Sequence, residues 1–214
     1  MYPELTRDEV FMIGTRRLWL RWPNNADAAH VAAFSGDPKV ATSTGSWPVG
    51  ATDAFARERI AATRAANGNG TGLGLVIAKR TAWKTPIGFV GIGVKHDDRG
   101  TYGTVGYHLA PEHWDRGYMS EALKGVIDMT RLLSRLPRLR ASVMPHNTAS
   151  ADVLRKNGFR YAGNGEINSP FLGTFEVDHY ERNLRAIGYD AGDLHVPPRS
   201  MRPQTCFETD MRVS

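Results

Sequence analysis

The sequence predicts a mixed α+β domain in which helices flank one central, mostly antiparallel sheet. Three observations predict it. Apolar runs at 75–79, 87–94 and 104–109 follow one another across turn signals, the spacing of an antiparallel meander. The stretch 119–136 carries Ala122, Val126, Met129 and Leu133 on one stripe with Leu123 and Ile127 beside it, which is helical periodicity. After it a strand, a second helix and two closing strands follow in turn. With 214 residues, 41% hydrophobic and 23% charged, the chain supports one globular domain with a full core.

The elements follow in order. Residues 15–22 (TRRLWLRW) alternate Leu18, Leu20 and Trp22 on one face and read as a strand, broken by Pro23-Asn24-Asn25. Residues 27–35 form a short helix ending near Gly36-Asp37-Pro38, and 41–50 (ATSTGSWPVG) read as a loop. A second helix spans 52–66, capped by Thr52 or Asp53, with Phe55, Ile60 and Ala61 for packing. The glycine-rich 67–74 (NGNGTGLG) lacks the Lys-Ser/Thr of a phosphate loop and precedes a strand, so it reads as a flexible turn. Asp97 to Gly100 is a hairpin turn between strands 87–94 and 104–109. The helix at 119–136 has Glu121 in its first turn and Arg131 and Arg135 in its last, complementing the dipole, and Pro137 stops it. A strand at 139–144 leads to a helix at 147–157, with Asn147 as N-cap and Gly158 just past its end. Strands at 159–162 and 177–182 close the sheet. Residues 1–14 read as an N-terminal extension and 15–186 as the domain. Residues 187–214, with Pro197, Pro198 and Pro203, read as a disordered tail or a docking arm.

Composition narrows the function classes. Cys206 is the only cysteine, so no intrachain disulfide and no cysteine metal cluster is expected, which favours a reducing, cytoplasmic setting; no metal is expected. No apolar run approaches the roughly 18 residues of a membrane span, and residues 1–10 are polar and acidic rather than a signal peptide. Net charge is +5, yet seven basic residues between Arg131 and Arg160 face one acid, Asp152. That surplus reads either as a solvated helix face or as a patch for an anionic ligand. No aromatic side chain lies between Arg131 and Arg155 and no nucleic-acid module is recognisable, which disfavours nucleic acid as a partner.

The most informative stretch is 105–122, VGYHLAPEHWDRGYMSEA: an apolar strand, a proline break, a polar loop around Gly117, then a helix. A loop opening a helix presents orphan amides and the positive dipole end to an anion such as a phosphate. Three segments, in order and at matching spacing, resemble the GNAT superfamily of acyl-CoA-dependent N-acyltransferases, and within it the RimJ/RimL-like branch. They are TRRLWLRWPNNADAAHVAAFSGDPKV (15–40), VGYHLAPEHWDRGYMSEAL (105–123) and MPHNTASADVLRKNGFRYAG (144–163). The resemblance implies two neighbouring strands that splay apart, here 104–109 and 139–143. It implies acetyl-CoA as co-substrate, with its pantetheine arm near Leu109 and Ala110. Its pyrophosphate would rest on the amides of Asp115, Arg116, Gly117, Tyr118, Met119 and Ser120. Asn147 would hold the pantetheine arm, and Lys156 or Arg155 would meet the 3′-phosphate. The loop departs from the family pattern at Trp114, usually Gln or Arg, and at Met119, usually Gly or Ala.

Acetyl transfer to an amine needs a neutral amine, a donor for the developing oxyanion and a proton for the departing thiolate. A backbone N–H at Leu109 or Ala110, where the strand breaks before Pro111, is the expected oxyanion donor. Many family members place a proton-donating Tyr seven residues after the Asn, where this chain has Leu154; the branch pattern implies Ser150 instead, which alternatively only caps its helix. Where some members carry a basic Glu, this chain has Ser142. That leaves His108 as the expected base or water relay, with His146 and His179 behind it. The acceptor would be a primary amine on a protein N-terminus, an amino acid or a small molecule, with 41–50 forming part of its pocket. The competing reading is a non-catalytic acyl-CoA-binding or protein-interaction module. The branch resemblance also leaves a homodimer open.

Overall fold

A computed structural model describes residues 2–184; the expected tail and Cys206 lie outside them. The strands are β1 (Met12–Gly14), β2 (Leu18–Arg21), β3 (Gly72–Lys79), β4 (Ala82–Asp97), β5 (Gly100–Leu109), β6 (Arg138–Val143), β7 (Arg160–Ser169) and β8 (Gly173–Asn183). They form one sheet ordered β1-β2-β3-β4-β5-β6-β8-β7. Every neighbouring pair is antiparallel except β5 and β6. The helices are α1 (Ala28–Ser35), α2 (Pro38–Thr44), α3 (Asp53–Gly68), α4 (Tyr118–Leu133) and α5 (Thr148–Lys156).

Alternation along the strands feeds two cores. Leu73, Leu75, Ile77, Val105 and Leu109 face α4 and α5, meeting Leu123, Ile127 and Leu154. Val76 faces the other way and joins Val31, Phe34, Trp47 and Ile60 of the α1–α3 layer, with Phe89 packed against it. The fold class and the helix-flanked sheet are as expected. The N-terminal segment packs onto this body. Tyr2 is fully buried, and its hydroxyl shares a 2.8 Å hydrogen bond with Thr130 Oγ1.

Several local expectations need correction. Residues 38–44, read in part as loop, form α2: Pro38 occupies the first turn, where its missing N–H costs nothing, and the Asp37 side chain accepts from Lys39 N. The turn after α3 is fixed rather than flexible, because buried Asn67 donates to Gly74 O (2.9 Å) and accepts from Gly74 N (2.7 Å). Helix α4 ends at Leu133, with Ser134 in extended conformation, before Pro137 is reached. Strands β7 and β8 run well past the predicted 159–162 and 177–182, through residues whose exposure leaves no apolar alternation to read.

The centre of the basic run is neutralised. Arg138, 5% exposed, pairs with Asp97 (2.5 Å) and Glu181 (3.3 Å); Arg140 also reaches Glu181 (2.8 Å), and Arg155 pairs with Asp152. Its centre is therefore an ion-pair cluster across β4, β6 and β8 rather than an open anion patch.

Parallel contact between β5 and β6 is confined to Gly103↔Leu139 and Thr104↔Arg140, after which the strands part. Gly103 permits the close approach at that base: a Cβ there would lie 2.5 Å from Leu139 Cδ2 and 2.7 Å from Ile92 Cγ2. Gly106, on the same strand, has open space around the equivalent position. Gly103→Ala is expected to lower the unfolding free energy by about 1–3 kcal/mol in urea titration. Gly106→Ala should cost less, and equal costs would show that the base of the gap tolerates a side chain.

Candidate active site

The gap between β5 and β6 is lined by backbone. Ala110 N donates to Ile87 O (2.9 Å) across β4, so the antiparallel register turns the backbone groups of His108 toward β4 and those of Tyr107 and Leu109 toward the gap. The N–H of Ala110 is thus engaged, which corrects its expected role as a free oxyanion donor, whereas Leu109 N–H faces the gap. The Leu109 carbonyl accepts from the Trp114 indole (2.9 Å). Trp114 is therefore tied to the strand end while 40% of it stays exposed.

Beyond the strand the loop turns twice through left-handed conformations, at Asp115 (φ 57°) and Gly117 (φ 70°). Asp115 is the one non-glycine residue with positive φ among the described residues. Such turns swing backbone amides toward one side and make anion cradles. No side chain caps α4 at Gly117, so the amides of Tyr118, Met119 and Ser120 open toward the loop. Met119 is buried and anchors the turn.

Arg17 brings a cation to the same place. Its guanidinium lies 4.6 Å from the Tyr118 ring centre, and its Nη1 donates to Arg116 O (3.0 Å). Glu121 holds it there, accepting from Arg17 Nε (2.6 Å), Arg17 N (2.7 Å) and Thr15 Oγ1 (2.7 Å). Burial opposes the Glu121 charge, but these bonds outweigh it and hold the carboxyl below its ordinary value.

On the α5 side, Asn147 caps its helix by accepting from Ser150 N (3.0 Å). The Ser150 hydroxyl donates to the Tyr107 hydroxyl (3.0 Å), and Tyr107 donates onward to the Ser150 carbonyl (3.0 Å). Burial pushes the Tyr107 phenol well above its usual value, so it stays protonated. Buried Asn157 ties the end of α5 to α4, donating to Val153 O (2.9 Å) and Ser120 O (3.4 Å). Lys156 is exposed in the last turn of α5.

His108 lies on the opposite sheet face. Its Nε2 shares a 2.8 Å hydrogen bond with Ser35 Oγ, and Phe34, Trp47 and Phe89 surround the ring at 5.6, 6.0 and 6.1 Å. Burial, with the Arg59 charge adding to it, lowers its pKa to about 4. It is neutral at pH 7 but holds a proton only weakly, which corrects the expectation of a base tuned to its task. Strand alternation thus separates the two expected catalytic residues: Ser150 meets the Tyr107 face of β5, His108 the other.

That other face carries a cavity of about 480 Å³. Its walls include Ser43 to Ser46 at the end of α2, Phe55 and Arg59 of α3, Ser142 and Met144 at the end of β6, and the β7–β8 hairpin. Part of the predicted pocket segment 41–50 therefore lines it. Ser142 Oγ shares a 2.9 Å hydrogen bond with His179 Nδ1.

A model of the acetyltransferase (GNAT) domain matches residues 17–160. The chain belongs to the GNAT acetyltransferase family. Among curated relatives of this GNAT chain, a probable N-acetyltransferase YjcK of Bacillus subtilis is 39% identical over 75 residues, which is 35% of this chain and 41% of the relative. An uncharacterized N-acetyltransferase YoaA of the same organism is 35% identical over 77 residues, again 41% of its length. The chain thus aligns with about two fifths of these relatives. Among solved structures, Mycobacterium smegmatis RimJ in complex with CoA-disulfide superposes with TM-score 0.70 at 22% identity, covering 86% of this chain and 90% of that one. RimL, a ribosomal L7/L12 alpha-N-protein acetyltransferase in complex with coenzyme A, gives 0.69 at 18% identity, covering 81% and 98%. At these identities the likeness is one of fold.

Sequence reading did not single out Tyr107, Arg17, Ser35, Asn157 and Arg59, which contact the expected site residues or line the cavity. Tyr107 had a signal: it shares the strand face of Leu109, two residues before the break. Arg59 had one too, a single turn after Phe55 on a helix. Arg17 and Asn157 act through partners more than 35 residues away, which no local pattern reveals.

The low pKa of His108 has a consequence for stability. The unfolded chain takes up this proton near pH 6.5 and the folded chain only near pH 4. Between those values the unfolded state holds more protons, so lowering the pH favours unfolding. From pH 7 to pH 4 the protein is expected to lose about 3 kcal/mol more stability than its His108→Gln variant. Parallel pH profiles in urea titration would contradict the burial argument.

Proposed function

We propose that the protein transfers an acetyl group from acetyl-CoA to a primary amine, such as a protein N-terminus, an amino acid or another small amine. The observation that carries this reading is the gap between β5 and β6, with Leu109 N–H facing it. Family membership supports it further. The residues suit the co-substrate. Backbone groups of Tyr107 and Leu109 would pair with a polar arm. The amides from Asp115 to Ser120, with Arg17 beside them, would hold a pyrophosphate, and Asn147 would steady the arm from α5. Lys156 is kept as the candidate for the 3′-phosphate, since Arg155 is engaged by Asp152.

Acetyl-CoA supplies a thioester. The amine nitrogen forms a bond to its carbonyl carbon, the C–S bond breaks, and an amide and a thiol result. Leu109 N–H would donate to the carbonyl oxygen as negative charge gathers there. Ser150 would turn its hydroxyl from Tyr107 to the sulfur and give up its proton there, while Tyr107, turning from the Ser150 carbonyl, would return a proton to Ser150. The amine must lose a proton. His108, low in pKa and bonded to Ser35, is better suited to walling the acceptor side than to accepting that proton. Ser142 lines the cavity, can accept from the amine and can donate to His179 Nδ1, so this pair is the better candidate for the relay.

Acetyl-CoA and CoA, but not ATP, are expected to raise Tm by several degrees; at 100 times Kd a ligand adds about 2.7 kcal/mol. Ser150→Ala should keep that rise while thiol release slows about 10²-fold, and His179→Gln should likewise keep the rise and slow turnover about 10²-fold. A Tm rise with no thiol release for any amine would favour the acyl-CoA-binding module, and no rise at millimolar acetyl-CoA would overturn both readings.

A further inference from the structure

Among the described residues Arg59 is the only charged side chain lining the 480 Å³ cavity, and no carboxylate among them lines it. The other cavity groups are hydroxyls, one carboxamide (Asn168), aromatic rings and aliphatic side chains. Arg59 also differs from the other two arginines of α3. Arg57 on the same helix pairs with Asp53, Arg64 with Glu9, Arg21 with Asp27, and Arg17 with Glu121. Among the described residues Arg59 forms no ion pair. Its guanidinium lies 5.4 Å from the Trp47 ring centre, which orients the fork and leaves its N–H donors to whatever occupies the cavity. Burial lowers its pKa, with no carboxylate opposing the shift. A guanidinium stays charged at this cost, so a counter-charge arriving with a ligand would be favoured.

Resting on the acetyltransferase reading, we propose that the acceptor amine carries an anionic group, a carboxylate or a phosphate, and that Arg59 binds it. The fork geometry of arginine matches both anions bidentately. The rest of the cavity fits the same acceptor. With no carboxylate to stabilise an ammonium and a guanidinium nearby, the bound amine is held toward its neutral form, which is the nucleophile. A polycationic acceptor meets the opposite field.

Matched acceptors test this. The expected result is a kcat/KM at least about tenfold higher for Ala-Ala with a free carboxylate than for its amide, or for O-phosphoethanolamine than for ethanolamine. Whichever pair shows the difference names the anion. Arg59→Gln should abolish the preference, chiefly through KM, lowering kcat/KM for the anionic acceptor far more than for its uncharged partner while the Tm rise with acetyl-CoA persists; Arg59→Lys should restore part of it. Equal rates within both pairs, or an equal loss for both members in Arg59→Gln, would overturn the proposal. A readout that needs no turnover separates it from the reading beneath it: calorimetric binding of the acetylated products, N-acetyl-Ala-Ala against its C-terminal amide and N-acetyl-O-phosphoethanolamine against N-acetylethanolamine. Preference for the anionic member of either pair, lost in Arg59→Gln, sustains the anion site even if no amine is acetylated. Absence of that preference, in a protein that does acetylate amines, removes Arg59 alone.

Discussion

Beyond Gly103 and Thr104, β5 stays bound to β4 while β6 is held by β8, and the natural twist of the sheet carries the two pairs apart. Backbone polar groups normally find partners, and an unpaired one shielded from water costs about 1–3 kcal/mol. The gap therefore presents Tyr107 and Leu109 groups that solvent or a polar ligand must satisfy. The rest of the site is arranged around this opening. Gly103 keeps its base tight, Tyr107 reaches across to Ser150, and Trp114 occupies one carbonyl at its upper end. The Asp115–Gly117 turns then place a helix N-terminus where the strand stops.

Alternation along β5 divides the labour between two faces. Tyr107 and Leu109 belong to the layer with α4 and α5, where the loop amides and Arg17 suit an anionic co-substrate. His108 belongs to the α1–α3 layer, beside a cavity that no carboxylate lines among the described residues. A reaction between a thioester on one side and an amine on the other would meet at the gap, since it interrupts the sheet that otherwise separates them. Charge is partitioned likewise. The central arginines of the 131–160 run are absorbed by Asp97 and Glu181, whereas Arg17 and Arg59 stand at the two candidate ligand sites.

Much of the fold was legible because its elements carry strong local patterns. The stripe from Ala122 to Leu133, the apolar runs of β3 to β5, and the caps at Thr52 and Asn147 are all visible in short windows. What was not legible depends on distant partners. β1 is three residues long and gains its place only by pairing with β2. Asn67 looks like part of a glycine-rich linker until Gly74 folds back onto it. The loop and Ser150 were readable from the family resemblance. The environment of His108 was not, because Phe34, Trp47 and Phe89 come from three separate elements. Burial by distant aromatics decides its proton affinity, and sequence spacing carries no record of it.

The central claim is that the parted strands and the loop beyond them form one co-substrate site. Its most direct test is an amide-resolved NMR titration of the full chain with CoA. The account requires the amides of Tyr107 and Leu109 and those from Arg116 to Ser120 to shift together along one saturation curve, while Ala110, bonded to Ile87, keeps its protection from exchange. Shifts confined to the exposed surface of α5, or a loop that responds while Leu109 does not, would contradict it.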